Sequence, residues 1–125
     1  MEHFNFGKTG LKISRFGMGC MRFPDKKQSD GSSVIDQDEV NKMVKYAYEK
    51  GINYYDTAYL YAGSEKALGE ALKGIPRDKI IITIKLPMAR FEKYVDCERF
   101  LNKSLNDLQT DYLDFYLFHA IQDAR

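Results

Sequence analysis

The sequence predicts an α/β chain in which four parallel strands alternate with three helices, behind a short β-hairpin. Three observations carry the prediction. From residue 15 onward, strand-like and helix-like segments alternate at spacings close to the about thirty residues of a βαβ repeat. The run Ile80-Ile81-Ile82-Thr83-Ile84-Lys85 is apolar on both faces, as in a parallel sheet covered by helices. Two short alternating runs around a glycine-bounded turn open the chain.

Phe4-Asn5-Phe6 and Leu11-Lys12-Ile13-Ser14 flank Gly7-Lys8-Thr9-Gly10 and make the hairpin, within residues 1–14. Gly7-Lys8-Thr9 is not a phosphate loop, because that motif needs an earlier glycine where this chain has Glu2, and no strand precedes it. Residues 15–119 hold the β/α units. Arg15 to Met21 reads as the first strand running into a turn, and residues 24–36 read as a polar loop rich in Ser, Asp, Lys and Gly. Asp36 followed by Glu39 marks a helix start. Val40, Met43, Val44 and Ala47 recur at helical spacing, and Gly51 ends that helix. Ile52 to Asp56 is the second strand. Ser64 to Leu72 is the second helix, with Ala67, Leu68, Ala71 and Leu72 on one face and Gly74 as the stop. Ile80 to Lys85 is the third strand. Asp96 to Gln109 is the third helix, with Cys97, Leu101, Ser104, Leu105 and Leu108 as its inward stripe, and Tyr112 to Phe118 is the fourth strand. Such an order builds a parallel sheet through right-handed crossovers.

The bulk properties exclude several classes. A chain of 125 residues that is 44% hydrophobic and 30% charged is globular, with room for one ordinary domain. A formal net charge of +1 points to neither nucleic acid nor anionic lipid. No apolar run approaches the roughly 18 residues of a membrane helix. The start Met1-Glu2-His3-Phe4-Asn5 has no signal-peptide character. Two cysteines, Cys20 and Cys97, have neither metal-type spacing nor a disulfide framework, so reduced thiols and a cytoplasmic address are expected.

Asp56, Lys85 and His119 each stand at the carboxyl end of a predicted strand. Parallel strands put those ends on one edge, so residues scattered in sequence converge there, where α/β enzymes keep their chemistry. Tyr61 follows Asp56 on the adjoining loop. Taken singly, Asp56 reads as a turn cap, Tyr61 as packing, Lys85 as a solvated strand end and His119 as a core histidine. Three strand ends in register weigh the other way.

The motifs that settle the reading are Gly51-Ile52-Asn53-Tyr54-Tyr55-Asp56-Thr57-Ala58, then Tyr61, then Gly63-Ser64-Glu65 with Leu68-Gly69-Glu70-Ala71-Leu72. Lys85 in Thr83-Ile84-Lys85 and His119 at the end of Tyr112 to His119 complete them. With these the chain resembles the N-terminal half of an aldo-keto reductase. Phe16-Gly17-Met18-Gly19-Cys20-Met21-Arg22-Phe23-Pro24 is similar to bacterial members that carry a C-terminal ferredoxin-like iron–sulfur extension, and two cysteines would not hold such a cluster. The resemblance implies the first half of a (β/α)8 TIM barrel that reduces aldehydes or ketones with NADPH, NADH being the second choice. It implies Tyr61 as general acid, Lys85 and Asp56 as its supports, and His119 as a donor orienting a small carbonyl substrate. Gly19, Cys20, Met21, Asp56 and Lys85 are the expected cofactor contacts, although a small buried thiol is the stronger reading of Cys20. Tyr59, Met88 and Phe91 are candidates for a substrate pocket. A free phenol is a poor acid at neutral pH, and a neighbouring ammonium eases the loss of its proton.

A whole barrel of this kind needs about 250 residues. Half of one leaves open sheet edges at its first and fourth strands, so self-association is expected. Many members carry proline two residues after the histidine, where this chain has Ile121. Two functions are therefore carried forward: a carbonyl reductase, and a non-catalytic half-barrel acting as an oligomerising or regulatory module. A doubly wound flavodoxin-like domain ranks last, because no glycine-rich turn follows the first strand.

Overall fold

The N-terminal runs pair as expected. In this computed structural model, which describes residues 1–121, β1 (His3–Asn5) lies antiparallel to β2 (Lys12–Ser14), with His3 opposite Ser14. Asn53 staples this hairpin to the main sheet. Its side chain accepts from the Ser14 N–H (2.8 Å) and donates to the Lys12 carbonyl (2.9 Å), while its own N–H donates to Ser14 Oγ (3.1 Å).

The first strand of the main sheet, β3, is only Met18–Gly19, shorter than the 15–21 read from sequence. The segment 24–36, expected as a polar loop, contains a second hairpin instead: β4 (Asp25–Lys27) pairs antiparallel with β5 (Ser33–Ile35). Its turn is built by Asp30 and Gly31. The Asp30 carboxylate accepts from the Ser32 hydroxyl (2.6 Å) and N–H (2.9 Å), which holds that carboxyl below its ordinary range. Gly31 supplies the left-handed turn at φ 83°.

Helix α1 (Gln37–Glu49) starts where the Asp36 side chain accepts the Glu39 N–H, as expected for its N-cap. Gly51, at φ 88°, closes it, with Gly51 N–H donating to the Tyr48 carbonyl and Ile52 N–H to the Ala47 carbonyl. Val40, Val44 and Ala47 face the core, but Met43 is exposed. β6 (Tyr54–Asp56), α2 (Ser64–Ala71), β7 (Ile81–Leu86), α3 (Tyr94–Leu108) and β8 (Phe115–Phe118) complete the alternation. The sheet order is β3-β6-β7-β8, all parallel. Ile82, Ile84, Leu68, Leu72, Leu108, Val40, Val44 and Tyr55 form one core between the sheet and its helices.

Two boundaries moved for identifiable reasons. α3 begins at Tyr94, ahead of the predicted Asp96, because the Asp96 carboxylate reaches back to the N–H groups of Lys93 (2.9 Å) and Glu92 (3.1 Å). Its most buried residues are Phe100, Ser104 and Leu108, and Cys97, Leu101 and Leu105 are only partly covered. β8 begins at Phe115 and not at Tyr112, because Arg77 has claimed the preceding backbone. The guanidinium donates to Thr110 Oγ1 (3.0 Å), the carbonyls of Ile80 (2.8 Å) and Tyr112 (3.0 Å), and Asp114 Oδ2 (2.7 Å). Among the described residues no helix is long and apolar enough to cross a membrane.

Candidate active site

Strand register decides which side chains share a face. Gly19 pairs with Asp56, Asp56 with Thr83, and Thr83 with Phe115. Side chains alternate sides along a strand, so Lys85, two beyond Thr83, faces the same side as Asp56. His119 is four beyond Phe115 and follows the same parity. The register climbs from strand to strand, and the three groups therefore ring one rim at the carboxyl ends of β6, β7 and β8.

Lys85 Nζ donates to Asp56 Oδ1 at 2.5 Å and to the Thr57 carbonyl at 3.0 Å. An ammonium has three N–H donors, so one remains after these two bonds. Nζ stands 5.1 Å from the centroid of the Tyr61 ring, within cation–π range. The Lys85 side chain is 16% exposed and that of Asp56 34%, so the pair lies at the mouth of the site, partly shielded from water. The loop carrying Tyr61 turns tightly: Tyr61 N–H donates to the Ala58 carbonyl and Ser64 N–H to the Tyr61 carbonyl, both at 3.0 Å. The Tyr61 ring also meets His119 in a T-shaped contact, with centroids 5.6 Å apart and planes at 87°. His119 Nδ1 is buried without a hydrogen-bond partner among the described residues. The four residues singled out from sequence are thus brought together.

The remaining candidates divide. Gly19 and Met21 are exposed at the end of β3, and a Cβ on Gly19 would meet nothing within 4 Å. Cys20 between them is fully enclosed. Its N–H donates to the Asp56 carbonyl (2.8 Å), its thiol to the Met18 carbonyl (3.5 Å), and its own carbonyl accepts from Ser64 Oγ (2.6 Å). Burial, aided by the nearby Asp56 charge, pushes the Cys20 thiol up to about 12. Met88 lines a cleft of about 280 Å³ with Leu60, Ala89, His119 and Ala120. Tyr59 instead packs edge-on against Phe100 of α3, with centroids 4.8 Å apart. Sequence reasoning missed Thr57, whose carbonyl holds Lys85, and Ser64, whose hydroxyl reaches both Cys20 and Thr57. Their one sequence signal is a place inside the motifs quoted above.

Comparison with known proteins identifies the family. A sequence model of the Aldo/keto reductase family matches residues 15–124. Aldo-keto reductase family 1 member A1 of Homo sapiens is 36% identical over 89% of this chain and 32% of its own length. L-galactose dehydrogenase of Arabidopsis thaliana is 34% identical over 93% of this chain and 37% of its own. The crystal structure of a thermostable aldo-keto reductase in complex with the inhibitor epalrestat superposes with a TM-score of 0.77 at 30% identity, over 95% of this chain and 43% of that one. The chain belongs to the aldo/keto reductase family of oxidoreductases. It spans about a third of the length of those two curated relatives. Its four parallel strands and three helices are the first half of the family's (β/α)8 barrel.

Proposed function

We propose that this chain carries the acid–base half of an NADPH-dependent carbonyl reductase acting on aldehydes or ketones. The observation that carries the reading is the arrangement around Tyr61, whose ring has both the Asp56-paired Lys85 ammonium and the His119 imidazole against it. A nicotinamide fits the residues at hand. The Gly19 position is open, Met21 is exposed beside it, and His119 Nδ1 is buried with no hydrogen-bond partner among the described residues. Gly19, Met21, Asp56 and Lys85 would hold it, with Cys20 shaping the floor beneath. When bound, the nicotinamide supplies hydride to the carbonyl carbon. Tyr61 Oη gives its proton to the carbonyl oxygen as negative charge grows there. The Lys85 ammonium stabilises the phenolate that this transfer leaves, and Asp56 with the Thr57 carbonyl fixes that ammonium in place. His119 orients the carbonyl oxygen. NADPH oxidation is followed with an aromatic aldehyde, and Tyr61→Phe should cut turnover by at least about 100-fold. Turnover left intact by that substitution would remove Tyr61 from the acid role.

A second reading, a non-catalytic half-barrel that self-associates, is favoured by one observation. Among the described residues β8 has no strand beyond it, and it exposes an apolar side chain on each of its two faces, Leu117 (44%) and Phe118 (64%). Light scattering after size exclusion should then show species larger than 14.5 kDa. A clean, stable monomer would count against it.

A further inference from the structure

Beneath the Lys85–Asp56 pair runs a chain of buried hydroxyls that no step above uses. Ser64, the first residue of α2, is 1% exposed, and Thr57 and Cys20 are fully enclosed. Ser64 Oγ lies 2.6 Å from the Cys20 carbonyl and 2.8 Å from Thr57 Oγ1. The direction of this chain follows from counting protons. A carbonyl only accepts, so the single Ser64 hydroxyl proton goes to Cys20. Thr57 Oγ1 must then be the donor to Ser64. The order is Thr57 to Ser64 to Cys20, with each proton assigned.

Three separate pieces of the rim meet at this one hydroxyl. Cys20 directly follows β3, between the exposed Gly19 and Met21. Thr57 follows Asp56 at the end of β6, and its carbonyl takes the Lys85 ammonium at 3.0 Å. Ser64 closes the loop that carries Tyr61, donating its N–H to the Tyr61 carbonyl at 3.0 Å. Removing Ser64 Oγ would leave two buried polar groups unpaired, the Cys20 carbonyl and the Thr57 hydroxyl, at the junction of all three pieces.

We propose that Ser64 is a positioning residue, whose hydroxyl locks the ends of β3 and β6 to the Tyr61 loop and so sets Tyr61 against Lys85. Its catalytic consequence rests on the carbonyl-reductase reading, but the lock itself does not.

The test uses the 125-residue chain in a Cys97→Ser background. Two readouts need no turnover: the NMR signal of the Lys85 ε-methylene, identified by its loss in Lys85→Met, and the rate at which Ellman's reagent labels Cys20. Ser104→Ala is the control, because Ser104 is equally buried on α3 but stands outside the chain of hydroxyls. Ser64→Ala should shift the Lys85 signal and speed Cys20 labelling about tenfold, and Ser104→Ala should do neither. Should Ser64→Ala not fold, Thr57→Val takes its place. It removes only the donor, so it should shift Lys85 while Cys20 stays protected by its remaining bond to Ser64. An unmoved Lys85 signal in the folded variant, or equal effects of Ser64→Ala and Ser104→Ala, overturns the proposal. In the NADPH assay Ser64→Ala should lower kcat about tenfold with the aldehyde KM unchanged. A wild-type chain that consumes no NADPH sinks the reductase reading alone, since the two structural readouts still judge Ser64.

Discussion

Gly69 sits where α2 crosses α3, and replacing it with alanine sets two opposed effects against each other. A Cβ added there would lie 2.6 Å from the Asp107 carbonyl oxygen and 2.7 Å from the Leu108 carbonyl carbon and Cα. Ordinary contact between carbon atoms is about 3.5–4.0 Å, so the helices would have to part by about 1 Å. The obstacle is backbone and cannot swing aside as a flexible side chain would. Overpacking of this kind costs about 1–3 kcal/mol, and a gap of 0.5–1 Å opened elsewhere forfeits roughly a quarter to a half of each contact it stretches. The contacts at risk are those of Leu68, Leu72 and Leu108, all in the core. Against this, alanine is about 1 kcal/mol better than glycine inside a helix. The clash outweighs the propensity, for a net loss of about 1 kcal/mol, or a fall in Tm on the order of 5 °C for a domain of this size. Thermal unfolding followed by circular dichroism at 222 nm measures it, and Gly69→Val should cost more than Gly69→Ala. A Tm that holds or rises for Gly69→Ala would refute the argument, because helix propensity would then have won and the crossing would not be tight.

Other outcomes follow from particular groups. Arg77→Lys keeps the charge but loses the planar fork that reaches Thr110, Ile80, Tyr112 and Asp114 together, and should cost about 2 kcal/mol in chemical denaturation. An unchanged denaturation midpoint would show that the charge alone suffices. Glu65 is 3% exposed, with Oε1 unpartnered among the described residues, and burial raises its carboxyl above the ordinary value despite the nearby Ser104 hydroxyl and Lys103. A raised acid favours the protonated folded state, so its stabilising contribution is full at low pH and is lost as pH rises through the folded value. Glu65→Gln should therefore raise Tm over wild type by an amount that grows from about pH 4 to about pH 7.5. A difference constant across that range would mean that Glu65 does not titrate as described.

How much of this was legible in the sequence depended on whether a signal was local. Helix α1 was, because Asp36, Glu39 and Gly51 each act within a few residues. So was the burial of β7, written in its isoleucines. The β4–β5 hairpin was obscured because Asp25, Lys26, Lys27 and Ser33 lack any apolar alternation, although Asp30-Gly31 is a strong hairpin turn signal. The start of β8 was misplaced because Arg77, more than thirty residues earlier, holds the Tyr112 backbone. The rim residues Asp56, Tyr61, Lys85 and His119 were found by reading strand ends together with the family motifs. Ser64 was not, since its hydroxyl partners are Thr57 and Cys20, the latter 44 residues away.

The shared facing of Asp56, Lys85 and His119 depends on whether each sits an odd or even number of steps from its paired neighbour. Inserting or deleting one residue within β7 ahead of Lys85 would turn the ammonium outward, toward the helices, and separate it from both Asp56 and Tyr61. Two residues would keep the facing but slide the charge along the rim by about 7 Å, past the reach of an ion pair. Changes in chain length are therefore tolerable only in connectors such as the β4–β5 arm, where the chain can grow or shrink without altering which way a strand residue looks.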